Sequence, residues 1–476
     1  MASKVLKDGT VLAFDRTSQS IQVLPRASIL IVDGRITAIE QNSEDLSAPP
    51  DAEVVDVTGK IVSPGFVNTH VHIWQSALRT IGSNINLSQY FGWINPAIQN
   101  AAAAFTPDDI HISSLEGYIE GINAGVTSYV EHAHNNWSAG VMQSGYRAAV
   151  DSGARVWWCY DVADRDGFSR DEQWDAYEKL KQDSSLVSAG LSLDGLAFSI
   201  LKGDSTALDL IKDKAAKLRL EALTVHHLGG PWPQGSTSPT GLCTENSLHE
   251  AGLPIIISHA PYLTREDMEA LRKHDIFVSI TPESECHYGH GQATGHEISD
   301  QACLGLDTVW TFSGDMINQA RLWLQLVRLR NSAKTLESGL LPNANPMAVE
   351  EAFLLATRQG GLALRRDDIG IISVGAKADL VVFDSNSPSM LGWSDPIAAV
   401  ILHANAADIQ HVLVDGEWRK KDFHLVNLVR PWEELRRQFL EASKRIQPQF
   451  GSPPPLPNKL WGIGEFGPVD HVTTKR

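Results

Sequence analysis

Pro64-Gly65-Phe66-Val67-Asn68-Thr69-His70-Val71-His72 is the stretch on which the reading of this chain turns. Ile61 to Val67 is apolar and β-branched, which predicts a strand ending at a bend marked by Gly and Pro. Side chains on a strand alternate faces, so His70 and His72 point the same way. Two imidazoles side by side at a strand end are a ready pair of metal ligands. Histidines also serve at such places as plain hydrogen-bonding groups. What surrounds the pair decides between the two.

From about Ser63 to Arg366, short apolar runs alternate with amphipathic helical segments, which predicts a parallel α/β barrel. Strands are expected at 126–130, 154–159, 188–193, 222–226, 254–259, 277–280 and 302–306. Thr106-Pro107-Asp108-Asp109 predicts a helix start, with Thr106 as N-cap and Pro107 in the first turn, and that helix should end near Ala124-Gly125. A barrel carries its chemistry at the C-terminal ends of its strands. Histidine and acid fall there repeatedly: Glu131-His132-Ala133-His134, His226-His227, Ser258-His259, Pro282-Glu283-Ser284-Glu285 and Leu306-Asp307. With 17 histidines in 476 residues, packing alone does not account for the recurrence, and a metal site does.

Short strands are also expected on both sides of this region. Residues 11–14, 21–24, 27–32 and 35–40 precede it, with an Asp33-Gly34 hairpin turn. After it, 369–384 predicts two strands around the turn Gly375-Ala376-Lys377-Ala378-Asp379, and 409–413 with Asp415-Gly416 predicts another hairpin. A helix is expected near 351–357 and another over Trp432–Ile446. The Pro-rich run 452–457 predicts an extended tail lying on a surface or on a neighbouring subunit.

Gly59 to His72 closely resembles the opening of the barrel in the amidohydrolase superfamily. The continuation Ile73-Trp74-Gln75-Ser76-Ala77-Leu78-Arg79 is similar to the cytosine deaminase-like and triazine hydrolase-like (chlorohydrolase) branch. The resemblance implies a (β/α)8 TIM-like barrel over 64–366, a discontinuous β-sandwich from 1–63 and 367–428, and a C-terminal helix with Pro-rich tail over 429–476. It implies one divalent metal, Zn2+ first, with Fe2+ or Mn2+ also compatible with such ligands. The ligands it implies are His70, His72, a histidine of the fifth barrel strand, and Asp307 from Leu304-Gly305-Leu306-Asp307. Two histidines compete for the fifth-strand place. Leu223 and Val225 read as helix-facing, which turns Thr224 and His226 inward and favours His226; His227 stays the alternative. Asp315, in Ser313-Gly314-Asp315-Met316, reads as a helix start.

The chemistry implied is hydrolysis of a non-peptide C–N bond (deamination, or cleavage of a cyclic amide or amidine) in a small cyclic or aromatic substrate by metal-hydroxide attack. Asp307 would take the proton and His259 would orient the nucleophile or stabilise the oxyanion. Trp74, Gln75, His134 and Glu285 are the expected substrate contacts. One departure stands out: deaminases of this branch carry a glutamate three residues after the fifth-strand histidine. Here His226-His227-Leu228-Gly229-Gly230 puts glycine there in either register. That keeps in play non-hydrolytic metal chemistry such as C–C cleavage or decarboxylation; a non-catalytic metal-containing binding protein is the third reading, against which the intact metal ligands argue.

Composition bounds the rest. A formal net charge of −17 disfavours nucleic acid and anionic membranes as partners. Neither an apolar leader nor an 18-residue apolar run is present in the sequence, and the four cysteines form no CxxC pair. The expectation is a cytoplasmic enzyme with a small-molecule substrate, assembled as a homodimer or homotetramer by resemblance.

Overall fold

Eighteen strands fall into two sheets in the structure, a computed structural model describing residues 3–94, 99–180, 184–200, 206–233 and 237–474. The first sheet is built from both ends of the chain. Its N-terminal strands are β1 (Lys4–Asp15), β2 (Ser20–Val32), β3 (Arg35–Glu40), β4 (Glu53–Asp56) and β5 (Ile61–Pro64). The second sheet contributes β6 (Phe66–His72), β7 (Val126–Ala133), β8 (Arg155–Asp161), β9 (Val187–Ser192), β10 (Ala222–His227), β11 (Ile255–His259), β12 (Phe277–Ile280), β13 (Ala302–Leu304) and β14 (Asp307–Thr308). The first sheet then resumes with β15 (Leu380–Phe383), β16 (Ile409–Val414), β17 (Glu417–Lys421) and β18 (His424–Leu425). β5 joins the two ends, pairing parallel with β1 and antiparallel with β15.

Neighbouring strands of the second sheet run parallel, in the order β13-β12-β11-β10-β9-β8-β7-β6-β14. β13 and β14 are two halves of one segment. Its first half pairs with β12, and its second half pairs with β6 through Asp307↔Val71 and Thr308↔His72. That segment closes the sheet into a ring of eight. These strands are buried almost throughout, as parallel strands covered on both faces must be.

The N-cap reading of the first long helix agrees with the structure. Pro107–Asn123 begins with a reciprocal Thr106/Asp109 capping box. Gly65, between β5 and β6, is required by close approach: a Cβ there would lie 2.1 Å from Thr127 Oγ1. Arg155, at the start of β8, reaches across to the terminal sheet. Its Nε donates to Asp379 (2.9 Å) and its Nη2 to Asp415 (2.9 Å), with all three side chains buried or nearly so.

One expectation needs correction. Only Leu380–Phe383 of 369–384 is a strand; the preceding Ile369, Ile371 and Ile372 are buried apolar residues in bends and irregular backbone, with Phe14 N–H donating to the Ile372 carbonyl (2.8 Å). Burial without a ladder partner looks the same in sequence as a strand. The Pro-rich tail lies on the surface of its own chain, one of the two placements expected of it. Trp93 Nε1 donates to the Phe450 carbonyl (2.7 Å) and Gln89 Nε2 to that of Pro454 (3.1 Å).

Candidate metal centre

β6 delivers His70 and His72 on one face, as strand alternation requires, and β10 turns His226 inward. Asp307 opens β14. One donor atom from each of the four lies within 4.8 Å of the others. Asp307 Oδ1 is 3.1 Å from His70 Nε2 and 3.6 Å from His72 Nε2, and His226 Nε2 is 3.2 Å from His70 Nε2. His227 turns away, its Nδ1 3.2 Å from Thr237 Oγ1.

The outer nitrogens explain why the inner ones are free. His72 Nδ1 donates to the His132 carbonyl (2.9 Å), which leaves Nε2 without a proton. His226 Nδ1 bonds to Asp194 Oδ2, and His70 Nδ1 lies 2.8 Å from the Ser258 hydroxyl. Each imidazole is thus oriented by a partner behind it, the arrangement that fixes tautomer and ring plane in metal-binding histidines. Burial holds His70 well below the usual histidine range and His72 down at about 3, so both rings are neutral. For Asp307, burial acts to raise the carboxyl, but its contacts with His70, His259 and His72 outweigh it and keep it a carboxylate. For His226, burial acts downward and the Asp194 carboxylate overcomes it, raising the ring. Three neutral-capable imidazole Nε2 atoms and one carboxylate, converging in a buried space, suit a divalent ion such as zinc.

His259 ends β11 beside this cluster, with Nε2 3.8 Å from Asp307 Oδ1 and Nδ1 2.8 Å from Thr281 Oγ1. Both His259 (φ 69°) and Asp307 (φ 66°) take the left-handed conformation that non-glycine residues rarely adopt. Such backbone strain collects where side chains must be aimed for function. Gly305 lets the closing segment approach, since a Cβ would come within 2.9 Å of His70 N.

The four expected substrate contacts fare differently. Trp74 is fully buried and donates to His134 Nδ1 (2.9 Å), while His134 stacks on His72 at 3.9 Å between ring centroids. Gln75 spends both ends inside the fold, accepting from Thr308 Oγ1 (3.0 Å) and donating to Tyr90 (3.1 Å). Trp74 and His134 thus back His72, and Gln75 ties the closing segment to Tyr90. Glu285 lies 3.7 Å from His259 Nδ1, accepts from Thr281 N (2.9 Å) and Gln292 Nε2 (2.6 Å), and is pushed up to about 7 by burial. It also borders a cavity of about 360 Å3 lined by Gln292, His296, Trp323 and Arg330.

Sequence reasoning missed Asp194. It follows β9 and accepts from His226 N (2.9 Å) as well as Nδ1, and its Oδ2 is 3.0 Å from His132 Nε2. Its place after a strand end, in the register that aims β10 and β11 residues inward, was the available signal.

Known proteins share this fold and sequence pattern. The 5-methylthioadenosine/S-adenosylhomocysteine deaminase of Thermococcus kodakarensis is 24% identical over 369 residues, covering 75% of this chain and 82% of that protein. The 5'-deoxyadenosine deaminase of Methanobrevibacter smithii is 24% identical over 400 residues, covering 81% and 87%. A zinc-bound adenosine deaminase from Xanthomonas campestris superposes with a TM-score of 0.76 at 19% identity, covering 94% of this chain and 99% of that one. The zinc complex of atrazine chlorohydrolase from Arthrobacter aurescens gives 0.75 at 18%, covering 92% and 99%. The profile of the Amidohydrolase family matches residues 61–419. The chain belongs to the amidohydrolase family.

Proposed function

We propose that this protein is a metal-dependent hydrolase that releases ammonia from a heterocyclic amine, with adenosine-type rings the first class to test. The observation that carries the reading is the convergence of His70, His72 and His226 Nε2 with Asp307, each imidazole oriented from behind. These four would hold the metal, and zinc is the ion we assign. When bound there, a divalent ion supplies Lewis acidity that makes water a nucleophile near neutral pH.

The residues around it divide the remaining work. Asp307, an ionised carboxylate facing His259, accepts the proton of the attacking water. His259, anchored by Thr281, orients that water and supports the charge that develops on the substrate. Glu285 is our candidate for the acid that Gly229 and Gly230 cannot supply: a buried carboxyl near neutrality can hold a proton at working pH. The deaminase relatives support ammonia as leaving group. The two glycines favour, as second reading, a chemistry that needs no proton on a ring nitrogen, such as non-hydrolytic cleavage.

The same reading takes 1–63 with 367–428, 64–366 and 429–476 as structural units of a cytoplasmic homo-oligomer. Among the described residues, no helix is long and apolar enough to cross a membrane.

Metal analysis paired with an ammonia-release screen over adenosine-type compounds and other heterocyclic amines tests the proposal. His70→Ala should lose metal and turnover together. A metal-free variant that still turns over would overturn it, and metal-replete protein that releases no ammonia would move the assignment to the second reading.

A further inference from the structure

A second group of metal-ligating side chains lies at the opposite end of the barrel. Cys243, His249 and His274 present one donor atom each within 4.8 Å of one another. Cys243 and His249 belong to the connection between β10 and β11, on the turns Gly241–Glu245 and Leu248–Ala251. His274 is the last residue of the helix Arg265–His274, which leads into β12. Both segments therefore sit at the N-terminal ends of adjacent parallel strands, whereas His226 and His259 sit at C-terminal ends. β11 alone, five residues long, separates the two levels by about 16 Å.

We propose that Cys243, His249 and His274 form a structural metal site for a thiolate-binding divalent cation of the zinc class, pinning the β10–β11 connection to the end of the following helix. Three features support it. First, the donor set is one thiol and two imidazoles, the soft-borderline mixture that selects zinc over magnesium or calcium. Second, His249 Nδ1 is buried and has no hydrogen-bond partner among the described residues. A buried ring nitrogen without a partner is costly. The His249 and His274 rings are direct neighbours, 3.9 Å apart between centroids at 48°. Third, the site adjoins a helix C-terminus, where the macrodipole favours positive charge.

Donors around a tetrahedral zinc stand about 3.5 Å apart, so the present spread closes by small rotations of half-buried rings. The fourth position falls to water. Cys243 is buried, and burial pushes its thiol up to about 11, with Lys273 acting the other way. Binding therefore forms the S–metal bond as the S–H bond breaks, and the proton leaves to solvent. The N-terminal face of a barrel is the one whose residues serve stability, which fits a site with no access to the catalytic end.

The test uses the full-length protein loaded with Zn2+ or Co2+. Wild type should hold two metals per chain and Cys243→Ser one, with turnover unchanged. Co2+-loaded wild type should show thiolate-to-cobalt charge-transfer absorption that Cys243→Ser lacks. In the His70→Ala background, which empties the catalytic site, one Zn2+ per chain should remain and raise the unfolding temperature; adding His274→Gln should abolish both. Equal metal content in wild type and Cys243→Ser, or no thiolate band in Co2+-loaded wild type, would overturn the proposal. If Cys243→Ser fails to fold, the thiolate band of the wild type decides. Loss of metal only from the catalytic site leaves these readouts intact, so failure here is distinguishable from failure of the hydrolase assignment.

Discussion

Replacing Asp194 by asparagine should weaken metal binding at the histidine cluster by 10- to 100-fold. Asp194 now accepts two N–H groups of one residue, His226 N at 2.9 Å and His226 Nδ1. A carboxamide has one oxygen. Either of its orientations sets an NH2 against one of those donors. With the oxygen on the backbone N–H, the ring can relieve the clash only by moving its proton to Nε2. That atom faces His70 Nε2 at 3.2 Å and is the one aimed at the metal. A ligand that must first be deprotonated binds more weakly, and losing such a partner costs metal sites roughly 10–100-fold in affinity, about 1.4–2.7 kcal/mol. The assay is competition for Zn2+ against a chromophoric chelator, with circular dichroism to confirm the fold. Asp194→Ala removes the acceptor without adding a donor, so it should weaken binding no more than Asp194→Asn. Zinc affinity within twofold of wild type for Asp194→Asn would refute the tautomer argument.

Three further outcomes follow from the same geometry. Arg155→Met leaves the buried Asp379 carboxylate without its cation, while Asp415 keeps Lys377 (2.7 Å), so denaturant unfolding should show a loss of about 3–5 kcal/mol; a loss under about 1 kcal/mol would mean the ion pair does not hold the sheets together. Glu285 titrates at about 7 when folded, against an ordinary value of 4.5. The folded chain therefore binds that proton more tightly, and the associated stability is full below about pH 4.5 and is lost as pH rises through about 7. Glu285→Gln should flatten this part of the stability–pH curve, and an unchanged slope would count against the raised carboxyl. Gly305→Ala puts a methyl 2.6 Å from Ser279 Oγ and 2.9 Å from His70 N; it should destabilise by about 1–3 kcal/mol and raise the zinc dissociation constant, which chelator competition would measure.

Much of this molecule could be read from strand parity and turn chemistry. Alternation on β6 and β10 depends only on the period of two, so the facing of His70, His72 and His226 was available before any coordinates. Asp307 and His259 were expected from the resemblance of their strand-end segments to the family's. Partnership across the ring was not available. Asp194 carries no motif, because an aspartate opening a helix after a strand is ordinary. Trp74 and Gln75 follow the histidines in sequence, yet their polar atoms are used by His134, Tyr90 and Thr308, partners that only the tertiary fold brings together. Ile369 to Ile372 read as a strand because apolar burial and ladder pairing leave the same mark in sequence. Cys243, His249 and His274 meet through two separate connections, a proximity no spacing rule encodes.

The ring closes on a seam two residues long, where Asp307 and Thr308 pair with Val71 and His72. His70 and Asp307 are 237 positions apart. While the ribosome is still making the chain, the three imidazoles exist without their carboxylate, and the first strand has an open edge. Metal capture is therefore a late event, completed only after translation has passed the closing segment. Without a bound ion, amide exchange and proteolysis should start at this seam.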